Sequence, residues 1–383
     1  MLTHTNKNTG RRRFLRLLGG ASILLLPVLN GCTNTAKSTT IAAPVNDGDP
    51  RYRWLAVAAR APSSHNMQPW KIALTSRPDK MALYVDTGSL LPAADPQCRQ
   101  TMISLGGFIE LLCMAANADG VHCEVEHLAP NKDANQPVAL FTFTRMQAAQ
   151  EPDGLLPFAA SRRVNRETFH QNASISEERL SLLLAAGSRR DAVAHGSVQT
   201  GKISEISAQV AEAWRIDLQQ PEIMLEMLKV TRIGRREIEH YRDGIAIQGF
   251  LPKLAERLGM FPRDRVPEQN SAIMKSMREM GEQQASSAAG WVWLVTTGNS
   301  RSQQIAAGRA FVRLHLRATQ LGIALQPMSQ ALEDYPAMSE SQQKLYQTLT
   351  VTPEKETVQM LARIGYADPA PLSPRRNLSD LVI

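Results

Sequence analysis

Apolar residues fall on most faces of a helical wheel in two stretches, Arg99–Gly120 and Arg301–Gly322. That pattern predicts two buried helices of about twenty residues, each closed by a glycine. Shifted by 202 residues, Arg99 falls on Arg301, Gly106 on Gly308, Ala116 on Ala318 and Gly120 on Gly322. A glycine within a buried helix lets another helix approach closely. Each copy also follows a strand-like run, Trp70–Leu74 before the first and Trp291–Thr296 before the second. The shared flanks turn a weak identity into an expected tandem repeat.

The remaining periodicity fills in the map. Asp49–Ala61 is a helix stopped by Pro62, and Trp70–Thr75 with Met81–Asp86 form a hairpin around Ser76–Lys80. Strands are expected near Cys123–His127, Ala139–Thr144 and Met360–Gly365. Ser176–Gly281 is helix-patterned, through Leu180, Leu183, Ile223–Leu228 and Leu251–Leu258, with no convincing strand. It reads as an inserted helical lid. The expected class is α+β, with a first half over 50–160 and a second over 161–383 that carries the insertion at about 176–281.

Composition changes the picture mainly at the N-terminus. The 383 residues are 43% apolar with a formal charge of +7, and residues 1–31 supply five of those charges through Lys7, Arg11, Arg12, Arg13 and Arg16. The remainder is nearly neutral, which argues for a mixed-sign surface and against nucleic-acid binding. Arg11-Arg12-Arg13-Phe14-Leu15-Arg16 precedes an apolar stretch, Leu17–Leu29, that would make roughly 20 Å of helix, too short for a bilayer. A basic flank and a short apolar core make a signal peptide, and the paired arginines resemble a twin-arginine export signal. Leu29-Asn30-Gly31-Cys32 resembles a lipoprotein processing site with Cys32 as the lipidated residue, although Asn30 departs from the usual small or apolar residue. Residues 32–49 suit a flexible tether, so the chain is expected on the periplasmic face, held to the membrane by lipid. Cys98, Cys113 and Cys123 form no C-x-x-C pair and imply no zinc site; burial as small apolar groups suits them, and a Cys113–Cys123 bridge stays open.

Three segments carry chemistry. Ala61–Trp70 packs hydroxyls, amides and a ring (Ser63, Ser64, His65, Asn66, Gln68) into a polar loop able to bond a heterocycle with alternating donors and acceptors. Ser161–Phe169 holds Arg162, Arg163 and Arg166, whose guanidinium forks match phosphate oxygens. The third is Arg363-Ile364-Gly365 followed by Pro374-Arg375-Arg376. Singly, each has a plainer reading: a solvated arginine run, a hydrogen-bonded loop histidine, an ordinary basic tail. Together they are less ordinary.

Pro62-Ser63-Ser64-His65-Asn66-Met67-Gln68-Pro69-Trp70 resembles the P-S-x-x-N-x-Q-P-W loop of nitroreductase-like flavoproteins, and Arg162-Arg163-Val164-Asn165-Arg166 through Phe169 resembles their R-R-S-x-R-x-F segment. With the loop first and the arginines some hundred residues later, the order resembles the Acg-type branch, a fused tandem form. The resemblance implies a pseudo-dimer of two degenerate repeats, with central sheets flanked by helices, working as a monomer and binding one FMN. It implies that Arg162, Arg163, Asn165 and Arg166 hold phosphate and ribityl, that Ser63, Ser64, Asn66 and Gln68 reach across from the first half, and that Arg375 or Arg376 closes on the phosphate. Gln326-Pro327-Met328 would present backbone to the ring edge. No second N-x-Q-P-W precedes Trp291, where Ala285–Gly290 stands instead.

The function so implied is ping-pong two-electron transfer to nitro, quinone or similar electron-poor acceptors, the flavin carrying the reactivity. His65 is a candidate proton donor. An exported enzyme lies away from nicotinamide cofactors, which points to membrane quinol or a redox protein as donor. Two other readings stay open: a non-catalytic FMN-binding or storage lipoprotein with its ring under the lid, and a lipoprotein without flavin. Neither H-E-x-x-H nor G-x-S-x-G occurs, so metal and serine hydrolysis have no support.

Overall fold

Each half of the chain runs α-β-β-α-β-β. The computed structural model describes residues 48–128, 136–147, 151, 153–248 and 263–383. The export signal, Cys32, most of the tether and Leu251–Leu258 lie outside the described residues. The chain divides into two units, Met1–Ala42 and Ala43–Ile383, and the architecture below is that of the second.

The first half contains α1 (Pro50–Ala58), β1 (Trp70–Leu74), β2 (Lys80–Val85), α2 (Arg99–Ala118), β3 (Val121–His127) and β4 (Ala139–Arg145). The second contains α3 (Glu177–Gly187), β5 (Val193–Ser197), β8 (Gly290–Thr296), α8 (Arg301–Gln320), β9 (Ala324–Pro327) and β10 (Thr357–Gly365). Between β5 and β8 lie α4 (Thr200–Asp217), α5 (Pro221–Val230), β6 (Thr231–Ile233), α6 (Gly234–Tyr241), β7 (Ile245–Ile247) and α7 (Ala272–Ser286). The helix α9 (Ser339–Leu349) precedes β10, and the short α10 (Leu378–Leu381) ends the chain.

The two main sheets have matching strand orders, β1-β2-β4-β3 and β5-β8-β10-β9, with every pair antiparallel. β5 is therefore the counterpart of β1, and β8 of β2. Two sequence expectations change accordingly. Trp70 and Trp291 lie in non-equivalent strands, because apolar character marks both runs as strands without fixing their neighbours. The segment 176–281 is not purely helical: α3 packs on α8, β5 is the edge strand of the second sheet, and β6 pairs with β7 in parallel. β5, Val-Ala-His-Gly-Ser, has too little apolar alternation to announce a strand and is held by its ladder to β8.

The helices α2 and α8 meet where the repeat placed its interior glycines. A Cβ on Gly106 would stand 2.1 Å from the Ile305 carbonyl oxygen, and one on Gly308 would stand 1.9 Å from the Ile103 carbonyl oxygen. The two contacts exchange under the same shift of 202 residues, as in an isologous dimer interface. α2 has the length and apolarity of a membrane span, yet nearly all of it is enclosed by protein, so it is a core helix. Glu110 on α2, almost fully buried, accepts Arg189 at 2.7 Å, Arg309 at 2.7 Å and Arg313 at 3.1 Å, all from the second half. One buried carboxylate of the first half is thus shared by three partly exposed arginines of the second. Cys113 and Cys123 are buried free thiols with sulfurs 3.0 Å apart.

The tail completes the link between halves. Val382 bridges Ile72 in parallel, and the Ile383 amide donates to the Ile72 carbonyl at 2.8 Å. Residues 374–376 are thereby drawn across to the end of α1.

Replacing Gly308 with alanine is expected to destabilise the protein by about 1–3 kcal/mol or more, because the added methyl meets backbone rather than a movable side chain. Gly201, in a helix with open space around it, is expected to gain up to about 1 kcal/mol from the same change. Urea unfolding of the two variants checks the opposite signs.

Candidate functional site

The centre of the site is the C-terminal end of α1. Helix ends leave carbonyls without intrahelical partners. Here the Ala59, Arg60 and Ala61 carbonyls accept Arg375, at 2.8, 3.2 and 3.3 Å, and the Arg60 carbonyl also accepts Arg162 at 2.9 Å. The partial negative charge of a helix C-terminus favours cations there. Arg163 donates to the Ala370 carbonyl at 2.7 Å, and Arg60 donates to the Ala160 carbonyl at 3.1 Å.

Four guanidinium groups, those of Arg60, Arg162, Arg163 and Arg375, thus collect with no carboxylate paired to any of them among the described residues. Burial, then the charge of Arg60, pushes Arg162 down to about 9. Burial, then Arg162 and Arg60, holds Arg375 well below the usual arginine range, and burial with Arg163 lowers Arg60. The Nε–H groups of Arg60 and Arg162 are buried and donate to no partner among the described residues. A cluster of like charge with orphaned donors fits an anion.

His315 of α8 supports it. Its Nε2 lies 3.0 Å from the Arg163 carbonyl and its Nδ1 3.3 Å from Arg162 Nη1, an arrangement that assigns the proton to Nε2. Burial, with Arg162 adding to it, holds this ring neutral by lowering its pKa well below the ordinary value.

The polar loop is bent over the cluster. His65, Asn66 and Gln68 all have left-handed φ values, 49°, 58° and 54°. Non-glycine residues in that region store of order 1 kcal/mol each, and such outliers concentrate at functional sites. Ser63 Oγ accepts the Gln68 amide at 3.0 Å, and the Gln68 side chain, fully buried, donates to the Arg242 carbonyl at 2.9 Å. Asn66 Oδ1 accepts Arg375 at 2.7 Å, while its Nδ2 donates to the Pro374 and Gly244 carbonyls. Ser64 Oγ bonds Gln100 and the ring of His65. The loop of the first half and the arginines of the second therefore meet. Burial, then the charge of Arg166, lowers His65 to about 4. Arg166 itself keeps accessible surface, and the protein packed around its guanidinium lowers its pKa.

Other expected site residues are placed differently. Ser63 and Gln68 direct these hydrogen bonds into the loop and to residues 242 and 376. Asn165 is buried, its amide donating to the Asp368 carbonyl and its oxygen accepting the Glu167 amide. Arg376 pairs with Asp86 at 2.6 Å, which leaves Arg375 as the tail's contribution. Gln326 is buried against Arg363 and Gln284, the Met328 amide donates to the Leu361 carbonyl, and Pro327 sits in the ladder opposite Ala362. Within Gln326–Met328 only backbone atoms left over from the ladder are free for a ligand. Arg60, His315 and Arg242 were not legible as site residues. Arg60 precedes the motif by one residue, a weak signal; His315 and Arg242 sit in segments that gave none.

No family model matches the chain. Proteins of two Mycobacterium tuberculosis strains, provisionally named NAD(P)H nitroreductase, are each 23% identical over 342 residues, covering 86% of this chain and 89% of theirs. A nitroreductase with bound FMN from Bacteroides fragilis is 17% identical, covering 58% of this chain and 94% of its own, with a TM-score of 0.34. An FMN-dependent nitroreductase from Mycobacterium smegmatis in complex with NADPH is 16% identical, covering 57% and 92%, with a TM-score of 0.36.

Because His65 is held neutral to about pH 4 while an unfolded histidine protonates near 6.5, acid favours the unfolded chain between those values. Its contribution to stability is present above about 6.5 and is lost as pH falls toward 4. A His65→Gln variant should thus gain on the wild type as pH drops from about 7 to about 4. Urea midpoints at several pH values read this, and a constant gap would dismiss the neutral ring.

Proposed function

We propose that this chain is an FMN-dependent oxidoreductase of nitroreductase type, acting on nitro, quinone or similar electron-poor compounds. The observation carrying the proposal is the arginine cluster with orphaned Nε atoms and no counter-anion among the described residues. A mononucleotide phosphate is dianionic and fits such a cluster, since each charged hydrogen bond contributes about 1.5–3 kcal/mol. Arg60, Arg162 and Arg163 would hold the phosphate. Arg375, fixed by Asn66, would complete the cationic wall, and Arg166 with His65 would border the rest of the ligand. FMN when bound supplies two-electron chemistry. The chain's own part is to bind, orient and tune it, with Arg166 available to favour added negative charge.

The names of the two mycobacterial relatives support this reading and suggest NAD(P)H as donor. The N-terminal signal and Cys32 support instead an exported, lipid-anchored enzyme, for which membrane quinol or a redox protein is the donor. Turnover of the full chain with NADPH and with a quinol discriminates the two.

The first test is the visible absorption of the purified full chain, which is expected to be yellow or to become so when titrated with FMN. Arg162→Gln is expected to weaken FMN binding by at least about tenfold, the factor that 1.4 kcal/mol represents. Arg376→Gln, which loses the Asp86 pair and longer contacts to Ser89 and to the Gln68 and Asp380 carbonyls but no member of the cluster, should change it less than Arg162→Gln does. A colourless chain that takes up no FMN would overturn the proposal.

A further inference from the structure

A second polar arrangement lies on the far side of His65. His65, Asp217, Gln330 and Glu333 line a cavity of about 40 Å³ whose apolar wall includes Trp214 and Met224. Asp217, the last residue of α4, accepts the Tyr335 hydroxyl at 2.5 Å, and it and Glu333 are each only 7% exposed. Glu333 Oε2 and Gln330 Oε1 are buried without a partner among the described residues. Arg99 lies near Glu333, but its guanidinium is spent on the Leu332 and Gln359 carbonyls. Neither carboxyl has an ion pair among the described residues.

Two desolvated carboxyls at one cavity cannot both ionise without mutual repulsion, and an ionised oxygen without a donor is costly. A neutral carboxyl, in contrast, brings an O–H that seeks an acceptor. The electrostatics agree. Burial, opposed by the Tyr335 hydrogen bond, raises Asp217 to about 7. Burial, then the charge of Asp217, raises Glu333 well above the carboxylate range against the pull of Arg99. The other ionisable groups facing this cavity do not neutralise it. His65 is held neutral, the Glu226 carboxylate accepts the Ala93 and Ala94 amides, and Asp95 lies beyond Glu333. About 40 Å³ admits a terminal group and not a whole ring system, given that a single water needs roughly 10–15 Å³ on the same scale.

We propose that this cavity is the acceptor-oxygen subsite: Asp217 and Glu333 act as neutral carboxyl donors to a quinone carbonyl or nitro oxygen of a substrate lying beside His65. The acceptor class rests on the function proposed above; the donor pair rests on the cavity alone. Asp217 is a specificity-determining residue here, favouring substrates whose oxygens accept and disfavouring those that present donors.

The test uses the full chain without any reductant, so that nothing turns over, and 1,4-naphthoquinone as the probe. Equilibrium dialysis is run from about pH 5 to about pH 9, across the Asp217 titration. Binding is expected to weaken by about tenfold or more as pH rises through this range. In Asp217→Asn, which keeps an N–H donor that cannot titrate, the pH slope is expected to flatten. Glu333→Gln is the second variant should that one fail to fold, and thermal melts report folding of both. Infrared difference spectra should also lose a protonated-carboxyl band in Asp217→Asn at neutral pH. Wild-type binding that is flat with pH, or an Asp217→Asn variant that keeps the wild-type slope, would overturn the subsite; Glu333→Gln leaves Asp217 to titrate, so it is expected to weaken binding and keep the slope, and unchanged binding there would remove Glu333 from the subsite. Flavin content is measured on the same samples. A yellow chain with flat binding removes the subsite and leaves the proposed function standing. A chain that never takes FMN but binds the quinone in the expected pH-dependent way does the reverse.

Discussion

The approach of α2 to α8 at Gly106 and Gly308 is the constraint on which the rest depends. Side chains normally keep helix axes about 8–10 Å apart. Here backbone meets backbone, because neither helix carries a Cβ at the crossing. That closeness fixes how the first half lies against the second. The end of α1 then meets the arginine segment and the returning tail, and Glu110 comes within reach of three arginines of the other half. A crossing so tight tolerates little sliding, so the cluster of cations inherits its geometry from a contact between two apolar helices.

That cluster is electrostatically expensive. Desolvation first, and then repulsion between the guanidinium groups, depress the pKa values of Arg60, Arg162 and Arg375. Three things offset it within the chain: the free carbonyls ending α1, a neutral His315, and the Asn66 amide oxygen. None supplies a full negative charge. The left-handed backbone at His65, Asn66 and Gln68 adds strain in the same few residues. Repulsion and strain concentrated at one place are the trade between stability and function common at binding sites.

The duplication is symmetric in topology and asymmetric in elaboration. Both halves share a strand order, but only the second carries helices between its first two strands. That insertion places the Arg242–Gly244 turn on the polar loop and brings Asp217 and Trp214 to the cavity beside His65. The polar loop between α1 and β1 likewise has no counterpart of its kind between α3 and β5, where Ser188–Ala192 makes a short turn. One half supplies the loop and Arg60, the other supplies Arg162, Arg163 and Arg375, and the insertion covers their junction.

Local pattern alone determined much of this. The two buried helices, their matched glycines, the 70–86 hairpin, the 290–296 strand and the three polar segments are written in periodicity and residue type, which depend only on near neighbours in the chain. Tertiary structure decided the rest. Which strand pairs with which is set by register between distant segments, so β5 was hidden and Trp70 was matched to the wrong strand. Whether a polar side chain faces a ligand or a carbonyl depends on where its bonds end: Gln68, Asn165 and Arg376 share the composition of a site, yet their partners are Arg242, Asp368 and Asp86. Asp217 and Glu333, 116 residues apart, acquire their character only from shared burial, a property no local stretch of sequence contains.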